Sequence, residues 1–142
     1  MYEYKCKVTR VVDGDTCDCI LDLGFSILHK CRVRLYGIDT PESRTRDLDE
    51  KARGKLASKF LQESIENGQE IVLRSELKDS KGKYGRVLGS IIVDGLDVNQ
   101  AMVAQSLAVK YFGQSKADVE VEHLANRQKL IDSGAYIPDS DI

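Results

Sequence analysis

The sequence predicts a β-barrel with helices, an α+β protein built as a five-stranded OB-fold barrel plus three α-helices. Two observations carry this reading. Three strand-like segments are followed by a helical one, then two more strands and two helices, which is the connectivity of a five-stranded Greek-key barrel. No Pro/Ser-rich linker, internal repeat or low-complexity run interrupts the 142 residues, so one domain over 1–142 is expected, with 138–142 a polar tail.

Each element has a local reason. Residues 3–12 (EYKCKVTRVV) are rich in tyrosine, valine and threonine and end at Asp13-Gly14-Asp15, strand chemistry followed by a hairpin turn. Residues 16–23 (TCDCILDL) alternate, and Gly24 breaks them. Residues 25–38 (FSILHKCRVRLYGI) read as a long third strand with Phe25, Ile27, Cys31, Val33 and Leu35 on one face and Arg32, Arg34 and Tyr36 on the other. Residues 41–50 are polar and turn-rich, an exposed loop. A helix is expected over 51–67 from the spacing of Ala52, Leu56, Phe60 and Ile65, with Gly68 behind it. Residues 69–76 and 86–93 form the fourth and fifth strands around a basic, glycine-containing loop at 78–85. Asp97 or Asn99 caps a helix over 98–108, and a last helix runs over 116–133 to Gly134.

The 42% hydrophobic and 31% charged composition with 2 Pro excludes a disordered chain, and no stretch approaches the roughly 20 apolar residues of a membrane span. No membrane partner is expected. The N-terminal MYEYKCKVTR lacks the apolar stretch of a secretory signal, so a cytoplasmic protein is expected, or a secreted one where a signal has been removed, and a monomer. Cys6, Cys17, Cys19 and Cys31 form no CxxC pattern and read as reduced thiols in a core. The net charge of −2 opposes a general phosphate-binding surface. It is unevenly spread: residues 1–88 carry 17 basic and 15 acidic residues, residues 89–142 carry 4 and 8.

Three clusters can carry chemistry: Asp13-Gly14-Asp15-Thr16, Arg34 with Asp39-Thr40-Pro41-Glu42, and Lys83-Tyr84-Gly85-Arg86. Asp15 and Asp39 lie at strand ends that a hairpin can bring together. Two such carboxylates repel unless protonated or bridged by a cation, and oxygen-only ligation suits Ca²⁺ or Mg²⁺. Arginine forks hold phosphate oxygens bidentately. Glu42, behind a rigid proline, has the placement of a general base. Each piece also has an ordinary reading. Asp-Gly is a common turn, an aspartate before Thr-Pro a common loop residue, and a strand arginine can be a solvated surface charge.

At these residues the sequence resembles the staphylococcal nuclease (thermonuclease) family, from Tyr4 to Ile137. The likeness rests on VVDGDT (11–16), RVRLYGIDTPE (32–42), KYGRVLGSIIVDG (83–95) and NQAMVAQSLA (99–108). The resemblance implies a Ca²⁺-dependent phosphodiesterase acting on DNA and RNA and leaving 3′-phosphate ends. It implies a metal held by Asp15, Asp39 and the Thr40 carbonyl, catalysis by Arg34, Glu42 and Arg86, and nucleotide contacts from Lys83 and Tyr84. Single-stranded substrate is expected, since a narrow site reaches frayed strands more easily. Tyr111 either stacks a base or, with Phe112, covers the barrel. The loop from Ser43 to Asp49 departs from the family pattern. A non-catalytic OB-type binding module is the rival reading; it has no use for acidic residues among arginines.

Overall fold

The computed structural model describes residues 2–76 and 87–138. β1 (Glu3–Asp13) and β2 (Thr16–Asp22) form a hairpin, and β3 (Leu28–Leu35) adds to β2. β4 (Ile38–Asp39) is two residues long, and α1 (Leu48–Asn67) follows. β5 (Ile71–Ser75) returns beside β1, and β6 (Val87–Val93) pairs with β5. Parallel pairing of β6 with β3, Val33 opposite Val87 and Leu35 opposite Gly89, closes five strands into a mixed barrel. β7 (Leu96–Asp97), α2 (Val98–Ala104), β8 (Val109–Lys110) and α3 (Lys116–Ser133) complete the order.

The barrel interior is filled by side chains of one parity: Cys17, Cys19 and Leu21 from β2, Val33 and Leu35 from β3, Leu73 from β5 and Ile91 from β6. Ala57 and Leu61 of α1 and Val98 and Met102 of α2 close its ends. All four cysteines are free thiols, and Cys17 and Cys19 are fully packed with their sulfurs 3.5 Å apart. Burial pushes the Cys31 thiol up, as expected for a thiol used for packing.

Four expectations change. The third strand does not start at Phe25. Its pairing with β2 ends at Leu28 opposite Asp22, and beyond that rung Phe25 and Ile27 have no core to enter; both are exposed. Nor does it run on to Ile38. Gly37, at φ +77°, turns the chain after Leu35, so Ile38 and Asp39 pair with β8 in a separate ladder. α1 begins at Leu48 because the Asp47 carboxylate caps Asp49 N and Glu50 N, drawing residues 48–50 out of the expected loop. α2 stops at Ala104, short of 108, and Ser106 takes φ 62° just beyond it. Among the described residues no helix is long and apolar enough to cross a membrane.

Candidate active site

Two loops meet on one face of α1. The β1–β2 turn presses Gly14 against Ala57 and Thr40, where a Cβ would lie 2.7 Å from Ala57 Cβ. One helical turn earlier, Gly54 lets the Pro41–Glu42 backbone lie on the helix; a Cβ there would meet the Pro41 carbonyl at 2.6 Å. The small residues at i and i+3 thus seat both acidic loops side by side. Asp13 Oδ1 joins them, accepting from Gly14 N at 3.0 Å and from the Ser43 hydroxyl at 2.8 Å.

Asp15 is buried. Its Oδ2 accepts from Thr40 N at 3.2 Å and its Oδ1 from the Thr16 hydroxyl at 3.1 Å. Arg34, opposite Thr16 in the β2–β3 ladder, donates through one nitrogen to the carbonyls of Leu35 and Ile38, both at 2.8 Å. Its other terminal nitrogen stands 3.5 Å from Asp15 Oδ2 and 3.6 Å from Asp39 Oδ1. The guanidinium is therefore fixed by the turn that Gly37 makes and bridges the two carboxylates. Glu42 lines the same cavity of about 510 Å³, with Asp13, Arg32 and Arg44 at its rim.

Desolvation pushes the Asp15 carboxyl above its ordinary value, helped by Asp39 and Asp13 and opposed by Arg34 and the Thr40 amide. Glu42 is also raised, first by desolvation and then by Asp13, Asp15, Asp39 and Glu50. The site holds more negative charge than its one bridging arginine offsets.

Among the sequence-predicted site residues, Asp15, Arg34, Asp39, Thr40 and Glu42 come together here. Tyr111 stands on a second cavity, of about 840 Å³, that shares Arg34, Asp39 and Glu42 with the first. Its neighbour Phe112 turns the other way and packs edge-to-face on Tyr36, ring centroids 6.0 Å apart. Lys83, Tyr84 and Arg86 lie outside the described residues.

Sequence reasoning missed His123. This buried residue of α3 places Nε2 2.8 Å from Asp39 Oδ2 across 84 positions of sequence. An ionised carboxylate only accepts, so the ring hydrogen belongs on Nε2. The available signal was helical spacing: His123 lies one turn after Val119, on the buried face of α3. Arg44 was also missed, because nothing in a polar loop marks which arginine turns toward a cavity.

A clasp keeps α3 over the site. Asp49 of α1 accepts from Arg53 Nε at 3.1 Å, Arg127 Nε at 2.9 Å and the Tyr136 hydroxyl at 2.5 Å. Burial pushes Asp49 up, but the Arg127 and Tyr136 hydrogen bonds and both arginine charges outweigh it and hold the carboxyl low. Asp49→Ala strands the buried Arg53 guanidinium and is expected to cost about 2–4 kcal/mol in urea unfolding. A depressed carboxyl stabilises the fold above its ordinary value of 3.8 and loses that contribution as pH falls through the folded value, so the variant's deficit should shrink below that pH.

The comparisons with known proteins bear on this geometry. The family model described as staphylococcal nuclease homologue matches residues 32–130. Endonuclease YhcR of Bacillus subtilis is 37% identical over 118 residues, 78% of this chain and 9% of that protein. SPbeta prophage-derived endonuclease YokF of the same organism is 30% identical over 139 residues, 92% of this chain and 45% of its own length. Endonuclease YncB, also of B. subtilis, is 28% identical over 137 residues, 90% of this chain and 62% of its own. This chain therefore spans from 9% to 62% of the length of these relatives. The family match takes in Arg34, Asp39, Glu42 and His123 together with most of the barrel, and on that extent the chain belongs to the staphylococcal nuclease family.

Proposed function

We propose that the chain is a Ca²⁺-dependent nuclease that hydrolyses phosphodiester bonds of DNA and RNA, prefers single strands, leaves 3′-phosphate ends and acts as a monomeric catalytic domain. The observation that carries this reading is the Arg34 guanidinium held between Asp15 and Asp39 with Glu42 on the same cavity.

The donor set fits a hard divalent cation. Asp15 and Asp39 offer carboxylate oxygens, and the buried Thr40 hydroxyl has no hydrogen-bond partner beside them. Among the described residues no three His, Cys, Asp or Glu converge on one ion position; Asp15, Asp39 and the Thr40 carbonyl would hold the ion, with water and substrate phosphate as its further ligands. When bound, the ion polarises the phosphoryl group and offsets the carboxylate charge.

The chain's own residues do the rest. Arg34, freed from part of its carboxylate pairing, presents a permanent charge to the equatorial phosphate oxygens. Glu42 takes the proton of a water that attacks phosphorus in line with the departing 5′-oxygen. His123 fixes the rotamer of Asp39, as a hydrogen-bonded neighbour of a ligating carboxylate does. Tyr111 offers a face to a base next to the cleaved bond. Arg86 as a second phosphate clamp and Lys83 and Tyr84 as terminal-phosphate contacts rest on the sequence likeness.

The test is a gel assay of single-stranded DNA with Ca²⁺, Mg²⁺ or EDTA. Degradation with Ca²⁺ and none with EDTA is expected; binding without turnover in Ca²⁺ sinks the reading in favour of a non-catalytic module. The raised carboxyls add a stability test. A group raised on folding stabilises below its unfolded value and loses that contribution as pH rises through the folded one. Asp15→Asn should therefore raise the neutral-pH melting temperature of metal-free protein by a few degrees (roughly 2–5 °C) and abolish the further rise that Ca²⁺ gives the parent.

A further inference from the structure

The tip of the β2–β3 hairpin has no role in the site just described. Gly24, Phe25 and Ser26 have φ of 85°, 54° and 62°, and Ile27 N donates to the Gly24 carbonyl at 2.9 Å. This is a primed turn with Phe25 and Ser26 in its central positions, where Asn and Gly are the unstrained residues. A bulky side chain at positive φ is an outlier, and here it is a phenylalanine 98% exposed. Leu23, Ile27 and Leu28 around it are exposed as well. Strand parity sends Leu28 to the opposite side from Leu23 and Ile27, so apolar groups surround the tip.

Below the tip the charge is basic. Alternate rows across the sheet, on one face, read Lys5–Asp22–Leu28 and Lys7–Ile20–Lys30. Lys5, Lys7, His29 and Lys30 are exposed. Asp22, the one acid in these rows, is turned to the backbone and caps Gly24 N at 2.9 Å. The tip also satisfies its own backbone in part, since Leu23 N donates to the Ile27 carbonyl at 2.9 Å.

We infer that this hairpin tip is a membrane-interface anchor that places Phe25, Leu23, Ile27 and Leu28 among acyl chains with the lysine rows at anionic headgroups. A flat protein partner would cover one side of the hairpin. Apolar groups on both sides ask for a medium that surrounds them, and a backbone bonded to itself lowers the penalty of entering it. Lys7 and Lys30 stand two rungs behind Leu28, at headgroup depth for a tip buried about 5–10 Å, and Lys5, level with Leu28, reaches the same depth along its flexible stem. Such an anchor lies in the interface, so the lack of a spanning helix does not bear on it. β2 starts next to Asp15 and ends at the tip, and its seven residues keep the carboxylate site about 20 Å from the lipid.

The test is co-sedimentation of the full chain, in EDTA, with vesicles of phosphatidylcholine alone or mixed with phosphatidylserine. Binding to the mixed vesicles is expected on the order of tenfold or more above binding to the neutral ones, from the three lysines. Phe25→Asn suits the positive φ, so the fold is kept or stabilised while vesicle binding drops about tenfold. The chain has no tryptophan, so Phe25→Trp supplies a single reporter whose emission should shift blue on mixed vesicles. The inference is overturned by absence of binding to either vesicle, by Phe25→Asn binding as the parent does, or by a dimer in sedimentation equilibrium that Phe25→Asn dissociates without any vesicle binding. Because EDTA removes the metal, none of these outcomes depends on nuclease activity.

Discussion

Arg34→Ala is expected to lower kcat/KM on single-stranded DNA by about 10²-fold or more, the loss seen when one preorganised donor to a transition-state oxyanion is removed. The structure adds a reason for a large effect. Arg34 is not a free side chain waiting for phosphate. Its fork is pinned to the Leu35 and Ile38 carbonyls at 2.8 Å, so its charge reaches the substrate with little reorganisation. Arg34→Lys keeps the charge but has no second planar nitrogen with which to hold both carbonyls and face the carboxylates, so it should recover less than a tenth of the lost rate. Both variants should be measured at saturating Ca²⁺ with melting curves alongside. Full activity in Arg34→Ala would remove the residue from catalysis, whatever its part in the turn.

Glu42→Gln should slow the chemical step by about 10²- to 10⁴-fold while substrate binding changes little, because an amide cannot accept the proton of the attacking water. The parent chain should show the matching pH signature. Burial and four neighbouring carboxylates raise Glu42, and a base works only when deprotonated, so the rate should rise with pH through the raised value and level off above it. Bound Ca²⁺ adds positive charge beside those carboxylates and should move the inflection to lower pH. A rate profile for Glu42→Gln with the same inflection as the parent would assign the titration to another group.

The acidic centre was legible because its members sit in short motifs at strand ends. Asp15 follows a hairpin turn, and Asp39, Thr40 and Glu42 are nearly contiguous. Their seating was not legible. Gly54 lies inside a helical pattern, where a glycine ordinarily only weakens the helix. The fold uses it to bring the Pro41–Glu42 backbone against α1, which no local rule announces. His123 was hidden for a related reason: its partner Asp39 is 84 residues away, and a lone histidine on a helix's buried face carries no sign of what it faces. The barrel followed from alternation and element order. Where alternation misled, the cause differed: at Phe25 the neighbouring strand had ended, and at Tyr36–Gly37 the positive φ of Gly37 turned the chain out of the sheet.

The parallel seam between β3 and β6 has a consequence for how such a molecule is made. It joins segments about 54 residues apart, and Arg34 lies on it, opposite Leu88. A nascent chain that has not yet delivered β6 from the ribosome has all the acidic residues of the centre but no closed barrel to hold Arg34 over them, and Asp39 waits still longer, for α3. Synthesis and assembly are thereby separated in time. The carboxylate–arginine centre comes into being only after β6 and α3 have left the ribosome, a sequence of events suited to a protein whose proposed substrate is RNA as well as DNA.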